Sequence, residues 1–150
     1  MKDIEKKILN EIEPLLETMG ISIVEINVAV VNKNYTVRLV IFQEKGVSLE
    51  ECVSVNRLLK PRLELIFESR DPVVEITSPG IDRKIKSSRE YKIFKGKALR
   101  LLREDDSDWI HGWIQECTED KLILKENEEI CEIPLDTIRK AKLDYTMEAR

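Results

Sequence analysis

Hydrophobic residues recur every three or four positions over residues 3–19: Ile4, Ile8, Leu9, Ile12, Leu15, Leu16 and Met19. This period predicts an amphipathic helix that buries one face. Gly20 follows at the position expected for a C-terminal cap. Pro14 conflicts with the pattern because an interior proline lacks the N–H that a helix uses. An interior proline usually kinks or shortens a helix, but the periodicity still predicts a helix over residues 3–19.

Two runs rich in β-branched residues follow, at residues 21–31 and 35–42, with Asn-Lys-Asn between them. They predict two antiparallel strands joined by a turn. The alternation of hydrophobic residues in the first run changes parity between Ile23 and Ile26. One inserted residue would restore a single buried face, so the first strand is predicted to contain a β-bulge.

A second helix is predicted to begin after Ser48, because Glu51 follows it at the spacing of a capping box. Pro61 interrupts this helix as Pro14 interrupts the first. A third strand is predicted at the sequence Pro-Val-Val-Glu-Ile-Thr. The order α-β-β-α-β indicates an N-terminal α+β domain, residues 1–84, with two helices on one face of a three-stranded sheet.

From residue 97 onward the chain changes to short strand patterns separated by turn-forming segments: KALRLL, WIHGWIQEC, KLILKE, EICEIP and RKAKL. Five such strands predict a small closed β-barrel as a second domain, residues 85–150. Gly112 lies inside the second of them, where a small barrel would bend sharply. The predicted fold class is therefore α+β with two domains.

The net charge of −4 conceals an uneven distribution of charge along the chain. Residues 83–103 contain nine basic residues and one acid, Glu90, whereas residues 104–136 contain twelve acids and two lysines. Such segregation affects the choice of partners and the rate of association, and it does not determine the fold.

The basic segment is the main candidate binding surface. Ser87 and Glu90 have the spacing of a capping box and predict a short helix, on which Arg89, Lys92 and Lys95 share one side. A lysine-rich helix face is usually a solvated surface, but such surfaces normally mix both signs of charge. We therefore favour nucleic-acid phosphates as the ligand. The residues assigned to this basic belt are Arg83, Lys84, Lys86, Arg89, Lys92, Lys95 and Lys97.

Two further groups of residues have both a structural and a functional interpretation. Ser78, Pro79 and Gly80 end the third strand, and Asp82 can accept hydrogen bonds from exposed backbone N–H groups. We favour a hinge between the two domains for this motif.

Strand alternation places Trp109, His111 and Trp113 on one face, opposite the isoleucines of the same strand. Outward-facing aromatic side chains can stack on bases or anchor a protein partner. Packing between the two domains is an equally reasonable interpretation.

Several classes of protein are not supported by the sequence. It has no run of about 18 apolar residues, and charges interrupt the N-terminal segment where a signal peptide needs apolar residues. Cys52, Cys117 and Cys131 form no CxxC pair and His111 is the only histidine, so we expect reduced thiols, no metal site and no cofactor. Motifs of nucleotide-binding and hydrolytic enzymes are missing, so we expect a non-catalytic protein. Without an apolar span or a signal peptide, the expected location is the cytoplasm.

Three segments together resemble the bacterial ribosome maturation factor RimP family: GVSLEECVSVNRLL, VVEITSPGIDRKI and EYKIFKGKALRLL. The pattern of the family around Ser-Pro-Gly is matched at Ser78, Pro79, Gly80, Asp82 and Arg83. Its upstream element is matched at Gly46, Val47, Glu50, Glu51 and Cys52. Two positions depart from the family: Lys84 replaces a usual proline, and Phe42 replaces a frequent aspartate.

The resemblance implies an α+β domain followed by an SH3-like or Sm-like barrel, without enzymatic activity. It also implies binding to the immature small ribosomal subunit, with contacts to its ribosomal RNA and to a ribosomal protein. Our hypothesis is therefore a monomeric, cytoplasmic assembly chaperone whose basic belt contacts RNA and whose acidic barrel meets a basic ribosomal protein. The alternative is a protein-interaction adaptor whose acidic barrel binds a basic client without RNA.

Overall fold

The structure is a computed structural model that describes residues 2–68 and 71–148. The chain divides into two compact units, residues 1–79 and residues 80–150. The first contains α1 (Lys2–Glu17), β1 (Ser22–Val31), β2 (Asn34–Phe42), α2 (Leu49–Phe67) and β3 (Val73–Thr77). The second contains α3 (Ser88–Ile93), β4 (Ala98–Arg103), β5 (Ile110–Cys117), β6 (Lys121–Glu126), β7 (Glu129–Pro134), a 3-10 turn (Leu135–Thr137), β8 (Ile138–Leu143) and α4 (Tyr145–Glu148). The predicted two-domain α+β fold is confirmed.

The first unit has a three-stranded sheet in the order β1-β2-β3, with β1 and β2 antiparallel and β3 parallel to β2. Asn32 and Lys33 both have positive φ in the turn between β1 and β2, which matches the twist of a tight hairpin. The register shifts between Ile23 and Glu25. The bulge predicted from the change of parity is therefore confirmed.

Both helices of the first unit bury hydrophobic residues against one face of this sheet. Fully buried side chains come from α1 at Ile8, Ile12 and Leu16, from α2 at Val55, Leu59 and Leu63, and from β2 at Val37, Leu39 and Ile41. Pro14 and Pro61 lie at exposed positions inside α1 and α2, so neither proline ends its helix. On the exposed side, a carbonyl that loses its helical partner can be hydrated.

The N-terminus of α2 has the capping box that the sequence predicts. The Glu51 N–H donates to the Ser48 hydroxyl oxygen at 3.1 Å, and the Ser48 N–H donates to the Glu51 carboxylate at 3.2 Å. The side chain of each residue thus accepts a hydrogen bond from the backbone N–H of the other. Two N–H groups that have no partner within the helix are satisfied in this way.

The second unit is a five-stranded antiparallel sheet in the order β7-β6-β5-β4-β8. The five predicted strands are present, but this order leaves β7 and β8 unpaired with each other, so the hydrogen-bonded ladder is not closed. Buried residues of all five strands form its interior, and they include Leu99, Ile114, Leu122, Ile133 and Ala141.

The segment before α3 is attached to β8. The Ile85 N–H donates to the Ala141 carbonyl at 2.8 Å, the Leu143 N–H donates to the Arg83 carbonyl at 2.9 Å, and Lys84 forms an antiparallel bridge with Lys142. The sequence assigns residues 80–84 to the first domain, whereas the structure groups them with the second unit because of these long-range hydrogen bonds.

Candidate nucleic-acid interface

A buried ion pair lies at the centre of the basic segment. Arg83 Nε donates to Glu90 Oε1 at 2.9 Å, and 10% and 3% of the two side chains are exposed. The Lys86 N–H also donates to the Glu90 carboxylate at 3.3 Å. Ser87 is the N-cap of α3 but makes no side-chain cap hydrogen bond, so the second predicted capping box is not formed. Glu90 turns inward to Arg83 instead.

This pair changes the composition of the predicted belt. Arg83 was predicted at the surface and lies in the interior, where its charge is matched by Glu90. Four members of the basic belt are exposed: Lys84, Lys86, Lys92 and Lys95. Arg89 and Lys97 are half-buried, and Lys97 Nζ lies 3.1 Å from the Glu148 carboxylate.

The helix α3 carries Arg89 and Lys92 of the belt, and the turn that follows it is attached to β5. The helix ends at Ile93, so Arg89 and Lys92 are helical while Lys95 lies in the following turn. Phe94 is completely buried, and the Gly96 N–H donates to the Ile114 carbonyl at 2.8 Å. A surface held by packing and backbone hydrogen bonds can present charges at fixed positions.

Tyr91 shows how closely the inner side of α3 is packed. Its side chain is buried, and this burial, with smaller contributions from Cys117 and Glu90, raises the pKa of Tyr91 to about 12. Burial also raises the pKa of the Cys117 thiol, partly offset by Lys92. Both groups are therefore neutral at physiological pH.

The aromatic face of β5 is the second predicted site. His111 is exposed, Trp109 and Trp113 are half-buried, and Gly112 and Ile114 between and beside them are buried. His111 Nδ1 lies 3.0 Å from Asp144 Oδ2.

Asp144 is the acid of this face and is itself buried. Burial alone would raise its pKa, but hydrogen bonds from Thr146 and His111 outweigh burial and hold the pKa below its usual value. A groove of about 330 Å³ opens beside this pair, lined by His111, Trp113, Glu126, Asn127, Asp144, Thr146 and Met147.

A second set of basic side chains, absent from the belt predicted from the sequence, adjoins this face. Arg100 on β4 is paired in register with Lys142 on β8 and with His111 on β5. Lys140 lies on the same face as Lys142, two residues apart in the strand. In the sequence, the i, i+2 spacing of Lys140 and Lys142 indicates that the two lysines share one strand face. Their proximity to Arg100 could not be read from it, because it depends on the pairing of two strands about 40 residues apart.

The predicted hinge motif lies where the two units divide. Ser78 and Pro79 end the first unit, and Gly80 begins the second. The Arg83 N–H donates to the Gly80 carbonyl at 3.1 Å, which closes a turn that contains the exposed Asp82. The hinge role itself remains a prediction.

In contrast to Glu90 of the basic segment, the acids of the following acidic segment all lie at the surface. All twelve acids between residues 104 and 136 are exposed. Lys121 pairs with Glu132 at 3.6 Å across β6 and β7.

No helix within residues 2–68 and 71–148 is long and apolar enough to cross a membrane.

Comparison with known proteins gives a consistent result over most of the chain. The family model of the RimP N-terminal domain matches residues 11–82. The ribosome maturation factor RimP of Borrelia recurrentis (strain A1) is 31% identical over 137 residues, which is 91% of this chain and 94% of that protein. The proteins of the same name from Borrelia hermsii (strain HS1 / DAH) and Borrelia turicatae (strain 91E135) are 30% and 29% identical with the same coverage. The similarity therefore extends over both units.

Proposed function

This chain belongs to the ribosome maturation factor RimP family, and we propose that it is a non-catalytic assembly chaperone of the small ribosomal subunit. It binds the immature subunit in the cytoplasm, assists a late step of its maturation and then leaves. The names of its relatives support the role in ribosome maturation, and the distribution of charge supports contacts with both RNA and protein.

The inward orientation of Glu90 is the observation that carries the RNA contact. Glu90 is the only acid of residues 83–103, and it is buried against Arg83. The exposed residues of this segment are therefore positive or uncharged. RNA gains affinity for such a surface when lysine and arginine replace the counterions condensed on its phosphates. The proposed contacts are Lys84, Lys86, Arg89, Lys92, Lys95 and Lys97.

The acidic segment supports a second contact, with a basic ribosomal protein. Its exposed acids repel RNA and attract a basic partner. The groove beside His111 and Trp113, which Glu126 also lines, offers an aromatic anchor for such a partner. Opposite charges on two surfaces orient the factor on the particle and limit its binding elsewhere on RNA.

Co-sedimentation with purified immature and mature small subunits tests this proposal. The variant Lys86→Glu/Arg89→Glu/Lys92→Glu reverses three charges of the belt. The matched control, Lys2→Glu/Lys6→Glu/Lys7→Glu, reverses three exposed lysines of α1. We expect wild type and the control to bind the immature particle preferentially, and the belt variant to lose most of this binding.

Two results would contradict the proposal. Equal binding to mature and immature particles by wild type would remove the role in maturation. Binding by the belt variant that equals that of the control would move the RNA contact away from the belt.

The protein-interaction adaptor is the alternative, and the exposed acidic edge at β7 favours it. Ile130 on this strand is 68% exposed between Glu129 and the following acid, Glu132. An adaptor would retain its basic client after RNase treatment and would have no affinity for ribosomal RNA. An assembly factor that binds through its belt would be released.

A further inference from the structure

Three basic residues and the histidine form one row across the second unit. Lys84 is opposite Lys142, Lys142 is opposite Arg100, and Arg100 is opposite His111. Residues directly opposite each other in antiparallel strands project to the same face, and like charges in these positions repel. Neighbouring strands are about 4.8 Å apart, so the three positive charges are close together.

Trp109 brings a fourth positive charge to the row. The Arg100 guanidinium carbon lies 5.4 Å from the centroid of the Trp109 ring, and Lys140 Nζ lies 5.2 Å from it. The face of an indole ring attracts cations, so Trp109 can hold both side chains in place. The Trp109 ring carries no formal charge, so it does not neutralise the positive potential of the row.

Acidic partners for these cations are missing from the described parts of the chain. Across residues 2–68 and 71–148, no carboxylate forms an ion pair with Arg100, Lys140 or Lys142. Asp144, the buried acid of this face, is already paired with His111 and accepts from Thr146.

Arg100 also has a donor without an acceptor. Within the same residues its Nε is buried and donates no hydrogen bond. A buried N–H that lacks a partner is costly, and such a group in a folded protein requires an explanation. The row as a whole is thus a set of cations that an anion would stabilise.

We propose that Lys84, Lys142, Arg100 and Lys140 form a second phosphate-binding surface, which continues the basic belt across β8 and β4. The inference rests on the RNA binding of the proposed function. Lys84 belongs to both surfaces and makes them continuous. An open row on a sheet face fits successive phosphates of an RNA backbone better than it fits a single small anion, which would need an enclosed site.

The test uses the full chain and a labelled single-stranded RNA oligonucleotide, with the dissociation constant measured at several salt concentrations between about 50 and 200 mM. The row variant is Lys140→Gln/Lys142→Gln. The matched control, Lys121→Gln/Lys125→Gln, removes two exposed lysines from β6 of the same sheet. Far-UV circular dichroism confirms that each variant is folded, because Lys140→Gln changes the surroundings of Trp109 directly.

We expect the row variant to bind RNA more weakly and with a lower dependence on salt. Each lost phosphate contact of a single strand removes about 0.7 from the slope of log K against log salt, so two lost contacts remove about 1.4. The control variant should retain the slope of wild type.

The outcomes separate this inference from the proposed function. A row variant that matches the control overturns the inference, while preferential binding of wild type to immature subunits preserves the proposed function. A row-dependent slope without preference for immature subunits supports the inference and contradicts the proposed function. Row-dependent binding to vesicles of anionic lipid, without binding to RNA, would assign the row to a membrane and overturn the inference.

Discussion

Arg83 Nε and Glu90 Oε1 lie 2.9 Å apart in an ion pair that is almost completely removed from solvent. The pair joins the turn at the start of the second unit to the first turn of α3. A buried pair of this kind contributes little net stability compared with apolar residues, but removal of one partner leaves an uncompensated charge in the interior.

The first prediction concerns this asymmetry. Glu90→Ala should destabilise the second unit by about 3–5 kcal/mol, because the Arg83 side chain loses the buried carboxylate of its ion pair. The double variant Arg83→Met/Glu90→Leu should recover most of this loss. Urea unfolding followed by tryptophan fluorescence is a suitable measurement, since Trp109 and Trp113 both belong to the second unit.

The same double variant tests the position of Arg83. An interior Arg83 is not part of the RNA surface, so the double variant should bind RNA as wild type does. A loss of RNA affinity in a correctly folded double variant would return Arg83 to the binding surface.

The second prediction compares two serines with the same sequence signature. Ser48→Ala removes the hydroxyl that caps α2 and should cost about 1 kcal/mol of stability. Ser87→Ala removes no cap hydrogen bond from α3, only the long hydrogen bond of 3.4 Å from the Ser87 hydroxyl to the Glu90 carboxylate, and should cost less. Because the two serines belong to different units, unfolding is followed by far-UV circular dichroism for Ser48 and by tryptophan fluorescence for Ser87. Equal costs would show that the hydroxyl of Ser87 contributes to α3 after all.

These two serines also show which features of the structure were predictable. Ser-x-x-Glu is a local signal, and it was sufficient at Ser48, where no distant group among residues 2–68 and 71–148 pairs with Glu51. The glutamate that follows Ser87 at the same spacing is Glu90. It pairs with Arg83 instead, and both charged side chains are almost completely buried. The hairpin, the bulge and the helix periods were predictable for the same reason as the first cap, because each depends on neighbours in sequence.

The candidate site was less predictable because it depends on strand pairing. Lys140 and Lys142 were recognised as part of a strand, but their proximity to Arg100 follows from the β4–β8 register. The sequence likewise predicts a closed barrel from the number of strands, whereas closure requires that the first and last strands of the ladder meet. Neither the register nor closure is encoded in a short segment.

The third prediction concerns the close approach of β5 and β6 at Gly112. A Cβ atom at this position would lie 3.2 Å from the Leu124 Cβ and 3.3 Å from the Lys125 carbonyl oxygen. Neither atom is at the end of a flexible side chain, so the strands would have to move apart. Gly112→Ala should therefore destabilise the second unit by about 1–3 kcal/mol, as overpacking of a core does.

Gly80→Ala is the control for this substitution. The nearest atom to its added Cβ would be Asp82 Oδ1 at 3.8 Å, which is an ordinary contact, and the backbone of Gly80 does not have a positive φ. We expect little change in stability. If both alanine variants were equally stable, the close approach of the two strands would not be a constraint on residue 112.

The fourth prediction is a pH dependence that originates at Asp144. Hydrogen bonds from Thr146 and His111 keep the pKa of this carboxyl below its usual value although burial opposes them. A carboxyl with a lowered pKa in the folded state contributes stability above the pKa of the unfolded chain, about 3.9, and this contribution is lost as the pH falls through the folded value. The affected range therefore lies below about pH 4.

Asp144→Asn removes the negative charge of the Asp144 carboxylate and, with it, the group that would be protonated at low pH. At pH 7 the variant should be less stable than wild type by about 1–3 kcal/mol, the cost of weakened hydrogen bonds to a buried acceptor. As the pH falls below about 4, wild type loses the same contribution and the two stabilities should converge. Urea unfolding by tryptophan fluorescence from pH 7 to about pH 3 measures this difference, with the exposed Asp105→Asn as a control that shows no convergence. A difference between Asp144→Asn and wild type that stays constant over this range would mean that the charge on Asp144 does not stabilise the fold.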